Sequence, residues 1–194
     1  MVMTAAARSD FPMHHGRISL CFVGTLGDRG SVRFERLREP ADLGAWLVAA
    51  ELESSLVPVT PAALRRAIRL REAIARVVAS VRAGDMPSAE DVSSINAAAR
   101  TVASVALDPV TLRAVSASRD RVGAALGVIA RDAIDLLAHE EERGRLRTCA
   151  LASCASLFLT PAGRRERRWC SMARCGNRAK VAAFRSRGEA LTGK

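Results

Sequence analysis

Four cysteines constrain this chain more than any other feature. Cys149 and Cys154, then Cys170 and Cys175, spell C-x4-C, a gap of fifteen residues, and C-x4-C. Two close pairs in a basic segment, far from the remaining Cys21, favour a metal site over disulfides. Zinc suits four thiolates in a tetrahedron, and a closed set of four leaves no open position for a catalytic water. Paired disulfides, an iron–sulfur cluster or unrelated buried cysteines are the competing readings. The segment 145–188 is too short to hold a core unaided, so one structural zinc ion would supply its folding free energy. Chelation is then expected to unfold this module and leave the rest of the chain folded.

Charge divides the chain at the same place. Residues 1–142 hold 17 arginines against 18 acidic residues, whereas 143–187 hold 11 arginines and Lys180 against Glu166 alone. A near-neutral body with a strongly basic tail module points to a polyanionic partner, most often nucleic acid. The plain alternative is a solvated basic surface. No run of apolar residues is long enough to span a membrane. The N-terminus lacks the apolar core of a signal peptide and reads as a disordered leader over 1–16, so the expected address is the bacterial cytoplasm.

With 49% apolar residues the chain can bury an ordinary core in 17–144. Residues 17–26, RISLCFVGTL, fit either a strand or a helix. A short helix is expected around Leu43, Trp46, Leu47 and Ala50. The clearest helix starts at the N-cap Thr60 with Pro61 in its first turn, and stops at Gly84. Its apolar stripe is Leu64, Ala67, Ile68, Ile74, Ala75, Val78 and Val81. Ser88 is placed to cap the next helix, with Asp91 in a capping-box position and Val92, Ile95 and Ala99 facing inward. Residues 101–118 alternate about Asp108–Pro109 and read as a β-hairpin, followed by a long helix over 118–142.

In the basic module, Leu157–Thr160 and Arg165–Trp169 flank a Pro-Ala-Gly turn and read as a second hairpin. A helix then follows Cys175, with Val181 and Phe184 joining Phe158 and Trp169 in a small apolar patch. A knuckle, a hairpin and a ligand-bearing helix give a treble-clef-like layout. Arg167, Arg168, Arg174 and Arg178 lie beside ligands and can offset a zinc–tetrathiolate centre of formal charge −2. Arg178 and Arg185 share one side of the helix, and Lys180 and Arg187 nearly the opposite one, so both sides cannot enter one groove.

These residues resemble a known family. Over about 148–187, the first C-x4-C, Leu157-Phe158, Arg167-Arg168-Trp169-Cys170, the second C-x4-C and CGNRAK at 175–180 resemble the CGNR-type zinc finger of bacterial transcription regulators. That family joins the finger to an N-terminal ABATE-type domain, proposed as a ligand or stress sensor. Gly24-Thr25-Leu26, LGAWL at 43–47, LREA at 70–73 and Ile95-Asn96 resemble it more loosely. The family's early segment reads Leu-Asp-Phe-Val-Asn-Thr; this chain has Leu20-Cys21-Phe22-Val23-Gly24-Thr25, lacking the Asp and the Asn. An acid common after the finger's strand is here Thr160.

The expected fold is α+β: a mainly helical N-terminal domain with a small β-hairpin over 17–144, a treble-clef-like zinc finger over 145–188, and a disordered tail at 189–194. Arg71 stands in the middle of an apolar stripe, where a guanidinium requires an acid such as Glu35, Asp42 or Asp132, or else clamps an anionic ligand. Asn96 is the second candidate for a small-molecule effector. The resemblance and the charge imply a regulator that binds double-stranded DNA, with Arg164, Arg165, Arg167, Arg168, Arg178, Lys180, Arg185 and Arg187 as contacts, and they leave room for a homodimer. A zinc-stabilised protein-interaction module and an RNA-binding factor are the alternatives. An enzyme is not expected: no nucleophile–base set and no phosphate-cradling glycine loop is present.

Overall fold

The computed structural model describes residues 11–102, 104–112, 114–163 and 166–192, with side chains at 114–116 and 186–192 left aside. Seven α-helices and three two-stranded antiparallel pairs follow one another among these residues. Three helices organise the body: α3 (Pro61–Ala83), α4 (Ala89–Ala99) and α5 (Arg121–Ala138). The ends of α3 are where the sequence puts them, and α5 has an N-cap that the sequence reading did not single out. The Thr60 hydroxyl accepts from the Ala63 amide at 3.1 Å, Gly84 takes a left-handed φ of 85°, and Asp120 accepts from the Gly123 amide at 2.7 Å. Ala67, Ile74 and Val78 of α3 pack with Leu126, Ile129, Ala133 and Leu136 of α5 in one core.

The ambiguous early segment is the helix α1 (Ile18–Val23), buried at Leu20, Cys21, Phe22 and Val23. Six residues with no cap of their own make a weak helix. Asp132 of α5 compensates from outside, accepting from the Ser19 amide at 2.9 Å and pairing with Arg17 at 3.1 Å. The two short strands β1 (Leu26–Gly27) and β2 (Phe34–Glu35) then pair, and α2 (Pro40–Ala49) seals the core with Leu43, Trp46 and Leu47. The Trp46 ring lies 4.9 Å from that of Phe22.

Several expectations need correction. Ser88 makes no side-chain cap, the Asp91 carboxylate accepts from Arg76 (2.8 Å), and Val92 is exposed while Ile95 is buried. The long helix breaks at the extended His139, and α6 (Glu140–Gly144) follows. The leader does not reach residue 16: His15 is buried, and the Leu159 amide donates to its carbonyl at 2.8 Å. Nor does the tail begin at 189, since α7 (Asn177–Thr192) runs on through the helix formers of Glu-Ala-Leu.

The expected hairpin over 101–118 is present as β3 (Val105–Leu107) and β4 (Ala114–Ser116). The second hairpin has a different first strand. β6 (Leu157–Leu159) pairs with β5 (Leu146–Thr148), which precedes the first cysteine, and Leu146 lies opposite Leu159. Arg165–Trp169 forms no strand among the described residues, having no alternating apolar set to bury. Alternation along β6 matters more than its length. Leu157 and Leu159 enter the body core, and Phe158, on the other face, enters a separate cluster with the four cysteines. The finger and the body are therefore joined through one strand.

Candidate metal centre and nucleic-acid interface

Local backbone features bring the four thiols together. After β5, the Cys149 amide donates to Ser156 and the Cys154 amide to Leu151, both at 2.8 Å, closing the first knuckle. The Ala150 amide donates to Arg168 at 2.8 Å and draws the returning chain alongside. Ser171 then opens a π-helical turn, Met172–Gly176, its carbonyl accepting from the Gly176 amide five residues on at 3.0 Å. That wide turn carries Cys175 back over Cys170, two residues before α7 begins at Asn177.

The sulfurs of Cys149, Cys154, Cys170 and Cys175 all lie within 4.8 Å of one another, and all four residues are buried. Cys154 is 3.8 Å from Cys170, and Cys170 is 3.6 Å from Cys175. A tetrahedron with zinc–sulfur bonds of about 2.3 Å has edges of about 3.8 Å. Without a metal the thiols do not ionise alike. Hydrogen bonding with Cys170 holds the Cys154 thiol far below its usual range; the same contact pushes Cys170 up, and burial pushes Cys175 up. A dication lets all four ionise. The set fits one zinc ion, and its closed geometry makes the site structural.

The surroundings contain residues that sequence reasoning missed. His14 and His15 arrive from the N-terminal arm, and their ring nitrogens lie within 4.8 Å of the Cys170 sulfur. Burial pushes the His15 imidazole down to about 4, with His14 and nearby arginines adding to the effect, so it is neutral at physiological pH. No spacing rule links position 15 to position 170; the adjacent histidines were the one visible trace. The body also docks on the knuckle. A Cβ at Gly30 would sit 1.9 Å from the Ala152 carbonyl oxygen, so only glycine allows this approach, and Ser31 donates to the Ser153 carbonyl at 3.1 Å.

The eight expected nucleic-acid contacts divide into three groups. Arg164 and Arg165 lie outside the described residues, as does the side chain of Arg187. Two others are engaged within the molecule. Arg167 donates to the Leu159 carbonyl at 3.1 Å and covers the Phe158 ring, and Arg178 meets Asp28 at 3.3 Å and Ser153 at 3.2 Å. Arg168 lies over the Trp169 ring and is exposed. Lys180 and Arg185, also exposed, have no ion pair or hydrogen bond among the described residues. Val181 and Phe184 do not join Phe158 in a patch: Phe184 is 73% exposed, because α7 projects away from the cysteine cluster.

Arg71 is 2% exposed and fully engaged. Its two terminal nitrogens donate to both Glu35 oxygens at 2.7 Å, one of them also meets Thr25 at 3.1 Å, and Nε donates to Glu72 at 2.8 Å. Arg29 binds the other side of Glu72 at 2.9 Å. Of the acids named from sequence, Glu35 is the partner; Asp42 accepts from the Arg38 and Glu39 amides, and Asp132 caps α1. Asn96 is exposed on α4, and no contact joins it to Arg71 among the described residues. The two do not form one ligand site.

No curated protein is significantly similar to the chain. The model of the CGNR zinc finger matches residues 145–188, covering all four cysteines. The ABATE model, described as "Putative stress-induced transcription regulator", matches residues 16–140. With most of its length matched, the chain belongs to the ABATE family and carries a CGNR zinc finger at its C-terminal end.

Proposed function

We propose that the chain is a transcription regulator that binds duplex DNA through α7 and its flanking arginines, a binding function with no catalytic step. One observation carries the reading. Arg178 turns one side of α7 toward Asp28 and Ser153 of the molecule itself, which leaves the side of Lys180 outward. The outward side suits a major groove, with Arg185 and Arg168 placed for phosphates. Zinc fixes the direction in which α7 leaves the molecule. A small effector of the body would fit the cleft of about 340 Å³ between α3, α4 and α5, beside Arg69, Leu70, Ala97 and Leu126, not the committed Arg71.

The test is duplex binding by zinc-loaded protein across a salt series. About five phosphate contacts give a log–log slope near −4 to −5. Lys180→Gln with Arg185→Gln should make the slope shallower by about 1 to 2 while zinc content stays unchanged. A flat slope, or no duplex binding at low salt, sinks the reading. It would favour a protein partner that covers Val181 and Phe184 on α7.

A further inference from the structure

We propose that His14, His15 and Cys170 form a second metal position beside the four-cysteine site, taking a second zinc ion that shares the Cys170 thiolate with the first. The proposal rests on zinc at the four cysteines. Its own basis is a built pocket. Ligand atoms of His14, His15 and Cys170 lie within 4.8 Å of one another. His15 is 1% exposed, and its ring fills the space over Gly24, where a Cβ would sit 2.6 Å from it. Leu159 holds the arm in place through the His15 carbonyl, as a continuation of the β5–β6 pair.

The chemistry of the imidazole matches this placement. His15 Nδ1 faces the Pro12 carbonyl at 3.3 Å. A carbonyl only accepts, so Nδ1 carries the proton and Nε2 keeps a lone pair, the usual arrangement of a metal-binding histidine. His14 stacks on His15 with ring centroids 4.7 Å apart and supplies the third donor.

Room and charge are consistent with an ion. A cavity of about 30 Å³ is bounded by His14, His15, Cys154, Cys170 and Cys175, room on the scale of one small ion. Four thiolates around one zinc ion leave a formal charge of −2, which a second zinc ion with two neutral histidines cancels. Arg36, Arg174 and Arg178 line the same cavity and offset part of that charge already. The second ion should therefore bind more weakly than the first.

Metal stoichiometry tests this with tag-free full-length protein, by native mass spectrometry and elemental analysis. The expected result is one zinc per chain at equimolar metal and two at several-fold excess. His14→Ala, at a half-buried position, and the double change His14→Ala with His15→Ala should hold one at every concentration. Cobalt added after the first equivalent should add sulfur-to-cobalt absorption in the unmodified chain and none in the variants. Saturation of the unmodified chain at one zinc overturns the proposal, as does a second equivalent that survives both variants. A chain that binds no zinc overturns the four-cysteine reading instead.

Discussion

The body core and the cysteine core are built on opposite principles. In the body, Phe22, Trp46, Ile74, Ile129 and Leu136 are fully buried among many aliphatic neighbours, and burial alone sustains the packing. In the finger, Phe158 is the one fully buried large side chain, and Leu151 and Trp169 only partly cover the cluster. Such a core does not hold without metal. Yet β6 serves both, through Leu157 and Leu159 on one face and Phe158 on the other. The two cores differ in what stabilises them and share the strand that transmits it.

Zinc removal tests the shared strand most severely. Structural zinc is worth on the order of 10–16 kcal/mol in isolated fingers, so chelation or Cys170→Ser should unfold the finger. The simple expectation leaves the body unaffected. The structure instead implies that the thermal midpoint of the body's helical signal also falls, because Leu146, Leu157 and Leu159 leave its core. An unchanged body midpoint on chelation would show the two cores to be independent.

Smaller changes separate the faces of β6. Phe158→Ala should cost about 3–5 kcal/mol and weaken zinc retention in a chelator competition. Leu159→Ala should cost about 2–5 kcal/mol in denaturant unfolding with zinc retention little altered. Equal effects on zinc retention would mean that the strand does not partition as its alternation implies.

Arg71 probes the body alone. Arg71→Leu strands Glu35 and Glu72, and the loss should lie toward the low end of about 3–5 kcal/mol because both acids keep some water. Burial opposes ionisation of Glu35, but the Arg71 hydrogen bonds and charge outweigh it and hold its pKa below the usual 4.5; Glu72 is lowered likewise by Arg29 and Arg71. An acid depressed in the folded state adds stability that is present above its unfolded pKa and is lost as pH falls through the folded one. Stability should therefore fall as pH drops below about 4.5, and that acid limb should flatten in Arg71→Leu. A steep limb retained in the variant would assign it to other carboxylates.

The smallest effect belongs to the other hairpin. β3 and β4 match β5 and β6 in length, but Val105 and Leu107 are 68% and 65% exposed. Leu107→Ala should change monomer stability by less than about 0.5 kcal/mol, as thermal unfolding at low concentration would show.

Much of the fold was legible because its signals are local. Thr60 and Gly84 act within one helical turn, and the stripe on α3 acts over successive turns. The break at His139 was not legible, and neither was the choice by Asp91 of Arg76, on another helix, as its partner. The strand partner of β6 was misassigned for a similar reason. Both candidate segments flank it closely, and only burial of Leu146 opposite Leu159 decides between them.

By itself the sequence determined the metal centre's donor set, the boundaries of α3 and the need for an anionic partner beside Arg71, whether a side chain or a ligand. Each follows from spacing or from a charge in an apolar stripe, which no tertiary arrangement can alter. Tertiary structure alone decided that Glu35 and Glu72 are the acids, that Arg178 belongs partly to Asp28, and that His15 lies against Cys170. Apart from Arg71 with its neighbour Glu72, those contacts join residues far apart in the chain, and side-chain identity says nothing about which distant groups the packed core will bring together.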